Sequence, residues 1–338
     1  MTKRMLGRTG LKVSPLTLGA MMFGGKTGAA ESADIIDRAL EAGINFIDTA
    51  NVYSQGRSEE VVGDALKKNG QRSRIVLATK VHGNMHPGDS LEPTQAGNSR
   101  RAIIEQAEAS LRRLKTDWID LYQIHRPQPE TPIDETLRAL DDLVRSGKVR
   151  YLGTSTFAAW QVVESLWVSK EYGLNRFVTE QPPYNLLDRR IERELIPAAR
   201  TFGIGLIPWS PLAGGFLTGK YRASGAQPEG RFADRSHQRA ASLLDNPRAF
   251  DAVQKLSAIA DGKGVPVSQL ALAWTVQQPG ITSSIIGPRT REQLVDNLAA
   301  LELKLTREDL ARIDAVSPPG DAIVPFYQAE FGPHPNRV

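Results

Sequence analysis

The chain has 338 residues, no cysteine and 41% hydrophobic residues, enough for a full core and against wholesale disorder. The missing cysteine excludes disulfides, thiolate metal ligands and a cysteine nucleophile, and nothing points to an oxidising compartment. Forty-two Lys and Arg against 38 Asp and Glu leave a net charge of +4, spread thinly, with no basic run of the nucleic-acid-binding kind.

The basic start of the chain lacks the apolar segment of a signal peptide, and no apolar run approaches the roughly 18 residues of a membrane helix. The expectation is a cytoplasmic protein without membrane or nucleic-acid partners. Residues 2–15 read as a short hairpin with Arg8-Thr9-Gly10 at its turn, closing the end of the fold away from the site. Strands are then expected at 17–20 and 45–48, with helices at 32–42, ended by Gly43, and 58–68, capped by Ser58 with Glu59 and Glu60 in its first turn. Strand and helix alternate onward at 75–80 and 99–114, 119–125 and 133–146, 151–155 and 158–170, 177–181 and 191–202. A strand at 205–209 precedes a long segment with helices near 246–262 and 268–277. The last strand, 283–286, and the last helix, 291–299, follow.

Eight strand–helix units in series predict an α/β fold, a (β/α)₈ TIM barrel in one domain spanning 1–338, with its core at about 16–300 and a tail at 317–338. A doubly wound open sheet would need a G-x-G-x-x-G turn after the first strand, and Gly24-Gly25-Lys26-Thr27-Gly28 has the wrong spacing. Long connections fall at 82–98 and 211–245, after strands three and seven, on the face where a barrel carries its active site.

Asp48, Lys80 and His125 end successive strands, and Tyr53 follows Asp48 in its loop. Each alone is weak evidence, since a Lys or Asp at a strand end is usually a structural ion pair. Their joint arrival at one rim reads as catalysis. A phenol is a poor acid–base catalyst at neutral pH unless a nearby ammonium favours its phenolate, and a carboxylate keeps that ammonium charged. Tyr53 would then donate a proton to a carbonyl oxygen as hydride arrives at carbon, with His125 orienting the carbonyl. A Schiff-base role for Lys80 is opposed by Asp48, which keeps it protonated. A zinc site is not expected, because one His and one carboxylate meet without H-x-x-x-H spacing.

Two further clusters suit an anionic ligand. Ile286-Gly287-Pro288-Arg289 leads into the last helix, with Thr290 as N-cap, Gln293 three residues on and Asn297 one turn further. Pro208-Trp209-Ser210-Pro211-Leu212-Ala213-Gly214-Gly215 supplies a ring-stacking Trp and small residues that admit a pyrophosphate, and Lys220 can reach a further phosphate.

With Leu6-Gly7-Arg8-Thr9-Gly10, Asp48-Thr49-Ala50-Asn51-Val52-Tyr53, Ala78-Thr79-Lys80, Ile124-His125-Arg126-Pro127 and Gln181-Pro182-Pro183-Tyr184-Asn185 in order, the chain resembles the aldo-keto reductase superfamily over about 5–300. It looks most like the branch holding aryl-alcohol dehydrogenases and potassium-channel β-subunits. The resemblance implies a barrel that binds NADP(H) extended over its top, with Asp48, Tyr53, Lys80 and His125 as the tetrad. It assigns the carboxamide to Ser155 and Gln181 and ring stacking to Trp209. It gives the pyrophosphate to Ser210, Leu212 and Gly214, the 2′-phosphate to Arg289 with Lys220, and the adenine ribose side to Gln293 and Asn297, beside Gly287. The implied activity is reversible reduction of an aldehyde or ketone to an alcohol. The alternative is a nucleotide-bound regulatory subunit with little turnover. Met22 and Phe23 are expected to line the substrate pocket. Asn84 and His86 are candidate polar contacts, and Phe326, Tyr327 and Phe331 are candidates to cap the site.

Overall fold

Eight parallel strands form one sheet in the computed structural model, which describes residues 1–85, 96–221 and 242–325. A hairpin comes first, β1 (Arg4–Met5) against β2 (Lys12–Val13). The sheet strands are β3 (Leu16–Gly19), β4 (Phe46–Asp48), β5 (Val76–Val81), β6 (Ile119–Ile124), β7 (Val149–Ser155), β8 (Phe177–Gln181), β9 (Gly205–Leu206) and β10 (Ser284–Ile286). Between them run α1 (Ala29–Glu41), α2 (Arg57–Asn69), α3 (Arg100–Leu114), α4 (Ile133–Arg145), α5 (Ala159–Tyr172), α6 (Leu195–Phe202), α7 (Pro247–Asp261) and α8 (Val267–Gln277). After β10 come α9 (Arg291–Ala299) and α10 (Arg307–Val316).

The sheet order is β10-β3-β4-β5-β6-β7-β8-β9. Its two ends approach through a parallel bridge between Leu206 and Ile281, and Ile285 N donates to Pro208 O at 2.9 Å. The fold is the expected (β/α)₈ barrel. One core lies between sheet and helices and includes Leu77, Tyr122, Leu152 and Trp274. A second fills the barrel's lower interior, where Leu6 and Val13 of the hairpin meet Phe46, Val76, Leu121 and Val178. The hairpin thus plugs the end opposite the strand C-termini, as expected. Arg8 N donates to Gly203 O at 2.9 Å.

Local differences from the sequence reading have identifiable causes. Ser58 does not cap α2; Gly56 does, at φ +86°. The Ser58 hydroxyl is buried, donates to Ala20 O at 2.7 Å and shares a 2.8 Å bond with Thr49 Oγ1, so it ties two strand-end loops together. The helix expected at 191–202 is a short 3₁₀ turn at Arg190–Glu192 followed by α6. Pro197 lacks an N–H and is tolerated only in a first turn, so the α-helix starts just before it. The strand expected at 205–209 shortens to β9 because Pro208 cannot donate to a ladder.

Helix α10 was not expected. Its signal was present: Thr306 Oγ1 accepts from Asp309 N at 3.2 Å and Asp309 Oδ2 accepts from Thr306 N at 2.8 Å, a capping box. Among the described residues no helix is long and apolar enough to cross a membrane.

Candidate active site

Neighbouring strands deliver their last residues to one rim. Asp48 ends β4, Lys80 is next to last in β5, His125 follows β6 directly, and Ser155 and Gln181 end β7 and β8. Tyr53 opens a short 3₁₀ turn in which Ser54 and Gln55 hold left-handed φ of +50° and +54°. That sharp reversal turns the chain into α2 and leaves the phenol over the barrel mouth.

The centre of the cluster is Lys80, fully buried. Its ammonium donates to Asp48 Oδ2 at 2.6 Å, to Thr49 O at 2.9 Å and to the Tyr53 hydroxyl oxygen at 3.2 Å. Burial alone would push the lysine pKa down, but Asp48 and Tyr53 outweigh it and hold the group above its ordinary value. The other Asp48 oxygen accepts from Gln123 Nε2 at 3.0 Å and Gln181 Nε2 at 2.9 Å, so the carboxylate is saturated and fixed. The His125 ring stands edge-on to Tyr53, with centroids 5.6 Å apart and planes at 81°. Burial, together with the charges of Arg126, Lys80 and His82, pushes the His125 imidazole well below its ordinary pKa, so it is neutral at pH 7.

These groups face a cavity of about 800 Å³, within the range of small-molecule sites. Met22, Asp48, Tyr53 and His125 line it, as do Ser155, Gln181 and Trp209. Lys80 lies beneath, reaching Tyr53 from behind. Beyond Trp209 the cavity continues along Ser210, Leu212, Gly214 and Lys220, and across to Gly287, Arg289, Gln293 and Asn297. Phe23 is the exception among the expected residues. It is fully buried in the core, and Met21, with Met22, faces the cavity instead.

The cavity walls suit an extended anionic ligand. Ser210 and Ala213 hold left-handed φ of +56° and +49°, with Gly214 at +69° and Gly215 at +97° between them and the following turn. Asn185 Nδ2 donates to Ser210 O at 3.1 Å, which holds that strained carbonyl in place. At the far side Thr290 Oγ1 caps α9 by accepting from Gln293 N at 3.3 Å. Gln293 Oε1 accepts from Arg289 N at 2.8 Å, one residue before the cap rather than at it. Both arms bring cations, Lys220 and Arg289, to a groove whose own backbone leaves room, because nothing stands within 4 Å of where a Gly287 Cβ would be.

Gln123 and Arg126 escaped the sequence reading. Gln123 looked like one more strand residue. Arg126, whose Nη1 donates to His125 O at 2.8 Å and Thr156 Oγ1 at 3.3 Å, lines the cavity beside Tyr53. His86, Phe326, Tyr327 and Phe331 lie outside the described residues.

A barrel with a buried lysine–carboxylate pair under a phenol, opening on a long groove, has the architecture of a barrel oxidoreductase. The chain belongs to the aldo/keto reductase family, whose model matches residues 15–318. It is 41% identical to an uncharacterized oxidoreductase, YrpG, of Bacillus subtilis, covering 93% of this chain and 95% of that protein. It is 39% identical to a probable voltage-gated potassium channel subunit beta of Oryza sativa subsp. japonica, covering 92% and 95%. It is 37% identical to versiconal hemiacetal acetate reductase of Aspergillus parasiticus, covering 91% and 95%.

Proposed function

We propose that the protein is an NADPH-dependent reductase that converts an aldehyde or ketone to its alcohol, reversibly, in the cytoplasm. The observation that carries this reading is the Lys80 ammonium, held beneath the long cavity between Asp48 Oδ2 at 2.6 Å and the hydroxyl of Tyr53 at 3.2 Å, both residues of the cavity wall. NADPH, when bound, supplies the hydride. Tyr53 donates the proton to the carbonyl oxygen, and Lys80 stabilises the negative charge left on the phenolic oxygen. Asp48 keeps Lys80 charged and fixed. Neutral His125 directs a ring N–H at the same carbonyl oxygen and orients it.

Ser155 and Gln181 would hold the carboxamide of the nicotinamide and Trp209 would stack on its ring. Gln181 Nε2 is bonded to Asp48 and, at 3.2 Å, to Gln123 Oε1, so its amide is held in one orientation, which supports that role. Ser210, Leu212 and Gly214 would face the pyrophosphate, Gly287, Gln293 and Asn297 the adenosine. Arg289 and Lys220 would take the 2′-phosphate, which favours NADP(H) over NAD(H).

Replacing Tyr53 by Phe is expected to lower kcat roughly a hundred- to ten-thousand-fold, the usual worth of a positioned acid, while NADPH still binds. Stopped-flow hydride transfer and fluorescence titration of NADPH measure the two separately. A Tyr53→Phe enzyme turning over at the wild-type rate sinks the mechanism.

The identity to channel β-subunits favours a second reading, a nucleotide-bound regulatory subunit. Sustained multiple turnover on a carbonyl panel decides against it.

A further inference from the structure

The stretch of groove wall at Ser210 is braced from outside the cavity. Ser210 carries a φ of +56°. A residue with a side chain keeps that conformation only where its neighbours enforce it. The Ser210 carbonyl oxygen accepts twice, from Ala213 N at 2.9 Å and from Asn185 Nδ2 at 3.1 Å. Both lone pairs are committed, and neither is left to repel an anion in the groove. Asn185 is fully buried, and its Oδ1 accepts from Leu187 N at 2.9 Å. One side chain thus joins the turn after β8 to the groove wall.

That turn is held by the chain beyond α10. Asp188 forms an antiparallel bridge with Ala322. Ile323 N and Val324 N both donate to Leu187 O, at 2.8 and 3.0 Å, and Arg189 N donates to Asp321 O at 2.8 Å. The Arg189 guanidinium donates to Asp314 Oδ1 at 2.7 Å and to Ser317 O, which anchors the segment to α10. Asn246, the N-cap of α7, donates from Nδ2 to Ile323 O at 3.3 Å. Val324 is buried, yet none of residues 317–325 lines the cavity. The segment stands behind the wall, where it sets the wall's shape without touching a ligand.

We propose that residues 317–324, acting through Asn185, hold the Ser210 backbone in the shape that receives a pyrophosphate, and that Asn185 is a positioning residue for the dinucleotide. This rests on the NADPH reading of the groove given above.

Fluorescence titration of NADPH tests it. Adenosine 2′-phosphate is the control ligand, because it carries the 2′-phosphate and lacks the pyrophosphate. Asn185→Ala is expected to raise the Kd for NADPH roughly five- to tenfold, the worth of one hydrogen bond, and to leave that for adenosine 2′-phosphate unchanged. Asn185→Asp keeps the acceptor for Leu187 N and, ionised at pH 8, lacks the donor to Ser210 O, so it is expected to match Asn185→Ala. At saturating NADPH the stopped-flow hydride-transfer rate and the KM for the carbonyl stay at their wild-type values. Ile323→Pro removes one N–H from Leu187 O. It is expected to weaken NADPH binding in the wild type and to add nothing to Asn185→Ala, the non-additivity of a shared path. Asn246→Asp, which keeps the cap on α7 and gives up the donor to Ile323 O, is the milder form of that test. Unchanged NADPH binding in the Asn185 variants, a loss shared equally by adenosine 2′-phosphate, or additive effects of Asn185→Ala and Ile323→Pro overturns the proposal and leaves the reductase reading standing. A wild type that binds neither nucleotide overturns the reductase reading, and this proposal with it.

Discussion

Glu180 is a buried carboxyl that the proposed chemistry does not use, and it makes its own prediction. Its side chain accepts from Phe157 N at 3.1 Å and so ties the loop after β7 to β8, next to Ser155 and Gln181. Burial pushes its pKa from the ordinary 4.5 to about 8, against the pull of the Thr154 hydroxyl and the Phe157 and Thr156 amides. Between those two values the native state holds a proton that the unfolded chain has lost. Stability from this group is therefore complete below the lower value and falls as pH rises through the upper one. Glu180→Gln lacks this term, so its stability relative to wild type is expected to increase by on the order of a few kcal/mol from about pH 5 to about pH 8. Urea unfolding at the two pH values measures it, and a difference that does not change with pH refutes the assignment. Nothing in the sequence marked Glu180, because acidic residues next to a strand end are usually exposed. The clustering of Asp48, Lys80 and His125 was legible for the opposite reason: each stands at a strand end, where titratable groups converge. Gln123 was not, because its function depends on which partners the barrel places beside it, two strands away in Asp48 and Gln181.

The hairpin β1–β2 shows how much an element owes to one backbone position. Gly7 lies between its strands at φ +58°, a conformation costly for any residue with a side chain. A Cβ there would stand 2.4 Å from Val178 O and 2.9 Å from both Gly203 O and Gly205 N. All three are backbone atoms at the barrel floor, which cannot swing aside. Gly7→Ala is expected to cost roughly 2–4 kcal/mol, left-handed strain plus overpacking, and thermal unfolding of the two proteins measures it. A melting temperature equal to wild type would mean that the plug is not tightly seated. The hairpin itself was legible from its turn sequence, as most helices were from their apolar spacing. What the sequence hid were ends set by tertiary contacts. Ser58 looked like a cap because it precedes two acids, yet it is drawn inward to Thr49 and Ala20. Helix α6 begins where Pro197 permits, although the apolar pattern starts earlier.

The barrel as a unit was the most legible feature, since eight alternations of strand and helix leave few other ways to bury both faces of a parallel sheet. The sequence could not show that one cavity runs from the loop after β3, past the ends of β4 to β9, to the start of α9. A ligand filling that length would touch loops from both ends of the sheet order, including the side where the Leu206–Ile281 bridge and the Ile285 N to Pro208 O bond help to join the edges. Binding should therefore stabilise the closed barrel against global unfolding, not one loop alone. Saturation at a hundred times the dissociation constant adds about 2.7 kcal/mol, a rise of a few degrees in melting temperature for a chain of this size. The rise is expected to be larger with NADPH than with NADH at equal concentration, because Arg289 and Lys220 meet the extra phosphate in the proposed mode. Arg289→Ala should shrink the NADPH shift toward the NADH value while leaving the NADH shift as it was, since only the 2′-phosphate distinguishes the two nucleotides. Differential scanning calorimetry of both proteins with each nucleotide measures this. An NADPH shift untouched by Arg289→Ala would remove the 2′-phosphate from the start of α9 and place it elsewhere along the groove.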